Sequence, residues 1–298
     1  MSLLVDVLCV GRAAYDLTFG VDSHPLPDEK LFAHSLVSCG GGPAANAAVS
    51  VARLGGTAVF AGYLGHDVFG QLHLEELQAE GVMTDWIVRG ASPTPVSTII
   101  AKPDGQRTLI AYQGNTDKLP AGSIDFAQIK PKVILFDGHE PHLSLPLAAW
   151  ARENQIPTVL DAGSLHIGTE QMAERVDYLI CSEKFARHYT GEQNEQLALS
   201  RLKEVAPFVA ITLGERGLVW KNGQAEGHLP AFAVNASDTT GAGDTFHGAF
   251  AWCLSQQQER LESLMFASAA AALCCTKQGA RHGIPYLTEV EQLIKQHP

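Results

Sequence analysis

A run of small residues followed by an acid is the part of this chain best suited to chemistry. Residues 238–250 read DTTGAGDTFHGAF, so Gly241, Ala242 and Gly243 stand directly before an apolar stretch of helical character. Small residues at the start of a helix leave backbone N–H groups open, and the helix dipole favours negative charge there. Asp244 follows at once, and a carboxylate would not help a site that only held phosphate. It would help an enzyme that deprotonates a hydroxyl beside a phosphoryl group, so the run predicts phosphoryl transfer with its own base.

A plainer interpretation of the same run stays open at this point. A helix that begins after a loop often starts with small residues, and an acid is favoured in its first turn by charge alone. On that view Asp244 is part of a helix cap and no more. The choice between the two depends on what else the chain carries.

A second run of glycines stands near the N-terminus. Residues 40–48 read GGGPAANAA, with Asn46 at the start of a helical stretch. Glycines let a ligand come close to the backbone. An Asn side chain offers a polyol both a donor and an acceptor. The alternative is a loop before a helix with a solvated Asn46. Neither run is a P-loop, because no Gly-x-x-x-x-Gly-Lys-Ser/Thr occurs, and neither has the spacing of a dinucleotide fingerprint.

The charge balance and composition limit the partners. The formal net charge of −11 argues against nucleic acid or an anionic membrane surface as the main partner. The six cysteines have neither metal-ligand spacing nor the density of a disulfide scaffold. Because the first residues lack a signal-peptide pattern and no apolar run is long enough for a membrane span, a soluble cytoplasmic protein is expected.

Strand-like and helix-like stretches alternate along most of the chain. Hairpin turns are predicted at Pro103-Asp104-Gly105 and at Asn222-Gly223. The predicted strands are residues 3–10, 57–63, 95–101, 107–112, 133–136, 158–161, 178–181, 209–212 and 218–221. The predicted helices are residues 43–54, 69–80, 242–255, 261–276 and 287–297.

This alternation predicts an α/β fold in three layers, a mostly parallel sheet with helices on both faces. Residues 14–38 and 93–114 interrupt the alternation and predict a small antiparallel insertion. A single domain over residues 1–298 is expected, with ligands beyond the carboxyl ends of the strands. Asp16 soon after the first strand and Gly214 after residues 209–212 are placed accordingly.

Together, the two glycine runs resemble the signatures of the PfkB (ribokinase-like) family of sugar and nucleoside kinases. They lie about 200 residues apart in the order typical of that family, and the resemblance covers nearly the whole chain. It implies a small β-sheet lid over the sugar, Asp244 as general base, and the amides of Gly241, Ala242 and Gly243 as anion hole. It also implies sugar contacts from Asp16, Gly40, Gly41, Gly42 and Asn46. Pro43 stands where ribokinase-like members often have Lys, which weakens an assignment to ribose.

The same resemblance places ATP and its cations. Thr212-Leu213-Gly214-Glu215-Arg216-Gly217 is similar to the loop beside the ATP phosphates, and a plain strand-to-turn junction is the alternative. Residues 269–276 would flank the adenine, so the implied nucleotide contacts are Thr212, Gly214, Gly217, Thr276 and Gly279. The family motif Asn-x-x-Glu, which organises magnesium, is degenerate here. Only Glu183 remains in it, either acting on Mg²⁺ through water or capping a helix. Many relatives hold K⁺ near the residue that corresponds to Asp238.

The substrate is the least defined part of this interpretation. The runs GGGPAA, FHGA and GARHGIP are similar to the sulfofructose kinase and ketohexokinase side of the family, which implies a ketose or ketose derivative. Arg12, Arg107, Asn115 and His139 are candidates for contacting a polar or anionic substituent, and Lys277 and Arg281 are taken as phosphate contacts or surface charges. Two alternatives remain, a nucleoside or other small-alcohol kinase and a non-catalytic sensor. A homodimer through the lid is expected, because pairing covers exposed strand edges.

Overall fold

Nine strands of the described residues form one large sheet. The computed structural model describes residues 2–103, 106–114 and 116–297. The strands of the large sheet are β1 (Leu3–Val10), β4 (Ala58–Gly65), β5 (Ile87–Gly90), β8 (Ile129–Phe136), β9 (Thr158–Ala162), β10 (Tyr178–Ser182), β11 (Phe208–Thr212), β12 (Leu218–Asn222) and β13 (Ala225–Leu229). Their order is β13-β12-β11-β10-β9-β8-β1-β4-β5, and only β12 and β13 run antiparallel to their neighbours.

A separate sheet of four strands contains the interruptions seen in the sequence. Its strands are β2 (Ala14–Gly20), β3 (Ser35–Gly41), β6 (Val96–Ala101) and β7 (Arg107–Tyr112), in the order β3-β2-β6-β7. The prediction of a purely antiparallel insertion is wrong at its centre. The hairpin partners β2 and β3, and β6 and β7, pair antiparallel, but β2 pairs parallel with β6. The chain passes through the large sheet between the two hairpins, so the strand directions are set by that crossover.

Helices cover the large sheet on both faces. They are α1 (Pro43–Arg53), α2 (Val68–Ala79), α3 (Pro141–Glu153), α4 (Ile167–Ala173), α5 (Glu183–Thr190), α6 (Glu195–Lys203), α7 (Ala242–Ser255), α8 (Arg260–Cys274), α9 (Ala280–Gly283) and α10 (Leu287–Gln296). Alternate strand residues point to the two faces of the sheet. Cys9 belongs to the hydrophobic core on the face covered by α1, α7 and α8, whereas Leu8 belongs to the core on the face covered by α3 to α6. Strands buried on both faces explain the continuous apolar runs in the sequence. In the described part of the chain, no helix has both the length and the apolar character of a membrane span.

The switch point of the sheet lies at β1. From β1 the chain continues to β4 on one side, and later strands fill the other side from β8 onward. Open α/β sheets bind ligands outside the carboxyl ends of the strands at such a point. Gly11 and Asp137 follow β1 and β8 directly, so the loops that they begin are positioned to build a site.

Helices α1 and α7 pack closely because one of their contact residues has no side chain. A Cβ built on Gly248 would lie 2.5 Å from the backbone oxygen of Ala47 and 2.8 Å from Cβ of Ser50. Ser50 also donates from Oγ to the backbone oxygen of Thr245, 3.2 Å away. This approach brings the N-termini of the two helices together at the carboxyl edge of the sheet.

Most elements agree with those predicted from the sequence. The helix over residues 242–255 is confirmed in both bounds, and the Asn222-Gly223 hairpin joins β12 to β13. Strand β8 begins earlier than predicted, at Ile129, and strand β5 was not predicted at all. Asp104 and Gly105 of the other predicted turn lie outside the described residues.

Replacing Gly248 by alanine should destabilise the protein by about 1–3 kcal/mol, although alanine is the better helix former by about 1 kcal/mol. The added methyl group meets backbone rather than a flexible side chain, so α1 and α7 would have to separate. Urea denaturation measures the change. Gly163→Ala is the matched control, since a Cβ at Gly163 meets only Oδ1 of Asp161, at 3.7 Å. Equal stability of the two variants would contradict the packing argument.

Candidate active site

The candidate base, Asp244, is joined to the glycine run near the N-terminus. Asp244 lies in the first turn of α7 and accepts a hydrogen bond from Nδ2 of Asn46 in α1, 2.7 Å from its Oδ2. Burial raises the pKa of Asp244, and the hydrogen bond from Asn46 acts against that rise. Since the amide donor engages Oδ2, the second carboxylate oxygen is available to a hydroxyl proton.

The N-terminus of α7 is open, as an anion site requires. Among the described residues, no side chain caps this helix, and the amide of Ala242 reaches only the oxygen of Thr239, 3.4 Å away. Gly241 has φ 79°, in the left-handed region that favours glycine. A Cβ at Gly243 would meet nothing within 4 Å, so the space beside it is free. These amides and the helix dipole can therefore stabilise negative charge next to Asp244.

The small sheet contributes the third predicted polar residue. Asp16 lies buried in β2, and burial raises the pKa of its carboxyl to about 6. A side chain at Gly41 would collide with this carboxyl group, so the glycine in β3 makes room for it. Asp16 lies against Gly41, and the neighbouring Gly40 lies against Arg281, which is hydrogen-bonded to the Asn46 that holds Asp244. Asp16, Asn46 and Asp244 are thus brought together from three elements.

Arg281 is the largest fully buried side chain, so its interpretation as a surface charge is wrong. Its Nη2 lies 3.2 Å from Oδ1 of Asn46 and 3.0 Å from Nε2 of His73. Its Nη1 lies 3.5 Å from Oε2 of Glu76, and the same Glu76 oxygen accepts a hydrogen bond from the amide of Gly40. The guanidinium therefore lies directly behind the glycine run.

This buried arginine determines how the Asn46 amide is oriented. A guanidinium only donates hydrogen bonds, so it selects the oxygen of the amide. Nδ2 of Asn46 then faces Asp244 as a donor. Burial lowers the pKa of His73 well below its usual range, so the neutral ring can accept from Arg281. The sequence signal was weak, because nothing local marks an arginine as buried.

Asp137 is a site residue that the sequence interpretation missed. Its carboxylate accepts backbone hydrogen bonds from Arg12 (2.7 Å), His139 (2.8 Å) and Ala44 (3.2 Å). It therefore ties the loops after β1 and β8 to the N-terminus of α1. A side chain at Gly11 would collide with this carboxylate. An acid directly after an apolar strand was the available signal.

A cleft of about 660 Å³ lies on the other side of the α7 N-terminus. Of the predicted nucleotide contacts, Thr212, Gly214 and Gly217 line it, whereas Thr276 and Gly279 are not among its described lining residues. Thr276 instead bonds to the oxygen of Leu273. The remaining walls are mainly apolar and suit an adenine ring. They include Ala231, Phe232, Val234, Ala236, Ala242, Gly243, Phe246, Ala271, Ala272 and Cys275.

Glu183 is engaged in ion pairs. It lies in the first turn of α5, where Ser182 caps the helix, and its Oε1 pairs with both Arg187 and Arg216. The Arg216 contact, 2.7 Å long, links α5 to the turn that follows Gly214. A carboxylate oxygen bridging two guanidinium groups does not fit a direct metal ligand. Its observed role is to hold the loop beside the cleft.

Asp238 also has protein partners. Its Oδ1 accepts hydrogen bonds from the amide (2.9 Å) and the hydroxyl (2.6 Å) of Thr240, and its Oδ2 accepts from the amide of Gly279 (2.9 Å). Nη1 of Arg107 lies 3.9 Å from Oδ1. The carboxylate thus connects the loop before α7 to the loop before α9, and the guanidinium of Arg107 lies beside it. These residues do not fit an additional monovalent cation on Asp238.

Of the other candidate residues from the sequence, Arg12 and His139 are half-buried and Lys277 is exposed. His139 stacks on His166 with ring centroids 4.6 Å apart, and burial lowers the pKa of His139 to about 3. Arg12, half-buried, lines a small pocket with His139. Lys277 is exposed and pairs with Glu289. Asn115 lies outside the described residues.

His247 has a structural position under the anion hole. Its Nδ1 lies 2.6 Å from the oxygen of Gly243 and 3.2 Å from Oδ2 of Asp161, and its Nε2 lies 3.1 Å from the oxygen of Ile180. These contacts fix the first turn of α7 against β9 and β10. Burial raises the pKa of Asp161 to about 7, against the effect of His247.

Comparison with known proteins identifies the family of this chain. The pfkB family carbohydrate kinase profile matches residues 5–287. A ribokinase of Lactococcus lactis is 30% identical over 298 residues, covering 98% of each chain. Fructokinase-1 of Zea mays is 27% identical and covers 86% of this chain and 88% of its own. The structure of Arabidopsis thaliana ribokinase complexed with ribose and ATP aligns with TM-score 0.86 and 26% identity, over 98% of this chain and 99% of that one.

The chain belongs to the pfkB family of carbohydrate kinases. It has the α/β fold of the ribokinases, with a large mostly parallel sheet and a small separate one. Its activity is therefore that of an ATP-dependent sugar kinase.

Replacing Arg281 by glutamine should lower kcat/KM by about 10- to 100-fold, the effect of one charged hydrogen bond of about 1.5–3 kcal/mol. The charge of Arg281 lowers the pKa of Asp16. The wild type should lose activity as the pH falls through about 6, where Asp16 takes up a proton. Without Arg281 this loss should begin at a higher pH.

The measurement is a pH profile of kcat/KM beside thermal unfolding. Lys277→Gln is the control, since Lys277 is an exposed cation nearby in the chain. If Arg281→Gln unfolds at the wild-type temperature and its kcat/KM has the wild-type value and pH dependence, the role given to Arg281 is wrong.

Proposed function

We propose that this kinase transfers the γ-phosphoryl group of ATP to a primary hydroxyl of a small sugar, with Asp244 as general base. One observation carries the proposal. The carboxyl of Asp244, held by Asn46 at 2.7 Å, lies at an uncapped helix N-terminus that also lines the 660 Å³ cleft. A base, an anion site and a nucleotide-sized cleft therefore meet at one place.

The chemistry follows from these positions. The sugar oxygen forms a bond to the γ-phosphorus, and its proton passes to Asp244. The bond between the γ-phosphorus and the bridging oxygen breaks, and ADP keeps its electron pair. The open amides at Gly241, Ala242 and Gly243 stabilise the charge on the phosphoryl oxygens. Positioning supplies most of the remaining rate increase.

The sugar is held between the two sheets in this proposal. Asp16 and Asn46 bind its hydroxyls, since a carboxylate accepts hydrogen bonds and an amide does both. The backbone of Gly40, Gly41 and Gly42 lets the ring come close. Asp137 does not touch the sugar but fixes the surrounding loops.

Thr212, Gly214 and Gly217 hold the nucleotide in the cleft. Magnesium fits as an ion carried by the ATP phosphates, because Mg²⁺ keeps several waters and binds through substrate phosphates. When bound, it neutralises phosphate charge. Glu183 contributes through Arg216 and the loop, as its carboxylate is already paired. We assign no direct metal ligand among the side chains.

An aldopentose such as ribose is the first candidate substrate, and a ketose is the second. The L. lactis relative, 30% identical, is a ribokinase and supports the first. The maize fructokinase, at 27%, supports the ketose predicted from the sequence, as does Pro43 in place of the common lysine. In this proposal, lid and strand-end residues make this choice.

The small sheet acts as a lid in this proposal, with residues 14–38 and 93–114 as its parts of a single domain. Its strands lie within or next to these ranges, and it supplies Asp16 to the site. A closed lid excludes water and limits loss of ATP by hydrolysis. Strands β3 and β7 are its edges, and a second copy of the chain would cover them.

An ADP-release assay with Mg-ATP tests the proposed function. One sugar from a panel of ribose, other aldopentoses, fructose, sulfo-sugars and nucleosides should accelerate ADP release. Asp244→Asn should reduce that rate by about 10²–10⁴-fold, the usual contribution of a general base.

Asp85→Asn is the matched control, because Asp85 is an exposed acid outside the site. If no acceptor raises ADP release while ATP or a sugar still binds, the better account is a non-catalytic sensor or an acceptor outside the panel, and the proposed substrate class fails. If Asp244→Asn keeps full activity, another group is the base.

If the proposed homodimer forms, the mass measured by sedimentation should rise with protein concentration toward that of two chains. Exposed apolar side chains on the small sheet are Leu36, Leu109, Ile110 and Tyr112. A double substitution of Leu109 and Ile110 by lysine should convert dimer to monomer, as like charges would face each other across the pair. A monomeric wild type at micromolar concentration would rule the dimer out.

A further inference from the structure

An arginine from the small sheet reaches the loop that precedes the anion hole. Arg107 is the first residue of β7, and its Nη1 donates a hydrogen bond to Oγ1 of Thr240. The same atom lies 3.9 Å from Oδ1 of Asp238. Oγ1 of Thr240 donates onward to that carboxylate. Arg107 is thus connected through Thr240 and Asp238 to the loop that ends at Gly241.

The position of Arg107 lies between the candidate base and the nucleotide cleft. Its charge lowers the pKa of Asp244 and acts in the same direction on Cys275. Cys275 and Thr239 line the cleft, and Thr239 is the direct neighbour of Thr240. Arg107 contacts Thr240, which stands between the cleft-lining Thr239 and Gly241 at the start of α7, so its guanidinium is near the path from the nucleotide to the acceptor hydroxyl.

The guanidinium has donors left over. Among the described residues, no hydrogen bond uses Nη2 or Nε of Arg107, and the side chain is about one-third exposed. A guanidinium presents five N–H donors in a fixed plane that matches phosphate oxygens. A ligand that carries a phosphoryl group beside Gly241 would meet these donors.

We propose that Arg107 is a catalytic residue, which contacts the transferring phosphoryl group and supplies the positive charge expected from a monovalent cation at Asp238. The inference rests on the proposed function. Without a cation, the Asp238 carboxylate would repel phosphoryl oxygens close to it. Arg107 neutralises that carboxylate and adds donors toward the phosphoryl group.

A consequence concerns the small sheet. Because the charge is attached to β7, it is at the loop only while the small sheet covers the site. The same sheet carries Asp16, which holds the sugar in the proposed function. Binding of the sugar and placement of the charge are therefore coupled through one rigid element.

A simple latch is the competing explanation. A latch would hold the small sheet closed and touch no phosphoryl group. Its loss would raise the KM for the sugar and leave kcat near the wild-type value. A catalytic arginine would instead lower kcat and leave the sugar KM nearly unchanged.

The variants Arg107→Gln and Arg107→Lys, with Arg175→Gln as control, separate the two. Arg175 is an exposed arginine just before β10. It therefore lies at the amino ends of the strands, away from the site at their carboxyl ends. Arg107→Gln should lower kcat by about 10²–10³-fold, as loss of a donor to transition-state charge does. Arg107→Lys should recover part of the rate, and Arg175→Gln should match the wild type.

A binding measurement gives a readout that does not need turnover. ADP with aluminium fluoride mimics the planar phosphoryl group, and calorimetry with the accepted sugar present measures its affinity. Arg107→Gln should bind ADP alone as the wild type does and bind ADP–aluminium fluoride at least about tenfold more weakly. Equal weakening of both would mean a general effect on the cleft and overturn the proposal.

Replacing K⁺ in the buffer tests whether Arg107 supplies the positive charge expected from a monovalent cation at Asp238. Wild-type kcat should change less than about twofold when tetramethylammonium chloride replaces potassium chloride. The thermal unfolding midpoint should also stay within about 1 °C, because an ion bound to the folded state would raise it. A tenfold loss of kcat without K⁺, or unchanged kcat in Arg107→Gln, would overturn the inference while leaving the kinase assignment intact. If the wild type transfers no phosphoryl group, the proposed function fails and the inference fails with it.

Discussion

The hydrogen bond between Asn46 and Asp244 is the interaction on which the site depends. It connects residues 198 positions apart and requires the first turns of α1 and α7 to meet. They meet because Gly248 allows the two helices to approach to van der Waals contact of the backbone. The orientation of the Asn46 amide is in turn imposed by buried Arg281. Packing, a buried charge and one amide thus determine the position of Asp244, the proposed base.

The site contains several carboxylates, although the phosphate groups that it would bind in the proposed function are also negative. Burial raises the pKa of Asp16, Asp137, Asp161 and Asp244, and the charge of Asp244 acts on both Asp16 and Asp161. Asp137 accepts hydrogen bonds from three backbone amides, and the charge of Arg12 also acts on it. Of the other acids, Asp16 has Arg281 and Arg12 as interacting cations, and Asp244 has Arg107. A phosphoryl group can enter because these cations and the open amides at α7 offset the carboxylates.

Features set by residues close in sequence could be predicted, whereas contacts between residues distant in sequence could not. The strands and helices followed from local apolar patterns, and the two glycine runs marked the base and Asn46. Burial of Arg281 could not be foreseen, because its partner Asn46 is 235 residues away. The pairing of Glu183 with Arg216 and the parallel pairing of β2 with β6 are also contacts between distant segments. Strand β5 was missed because it has only four residues, all half-buried.

The small sheet has a larger role than covering the sugar. Asp16 in β2 lies opposite Ser97 in β6, and β6 pairs with β7 from Ala101 opposite Arg107. A continuous hydrogen-bonded sheet therefore carries both the residue proposed to hold the sugar and the residue proposed to meet the phosphoryl group. A water molecule in the sugar position could not engage Asp16 and Asn46 as a polyol does, so it would not hold the sheet over the site. In the proposed function, a bound sugar therefore stabilises the position of Arg107 beside the nucleotide more than water does.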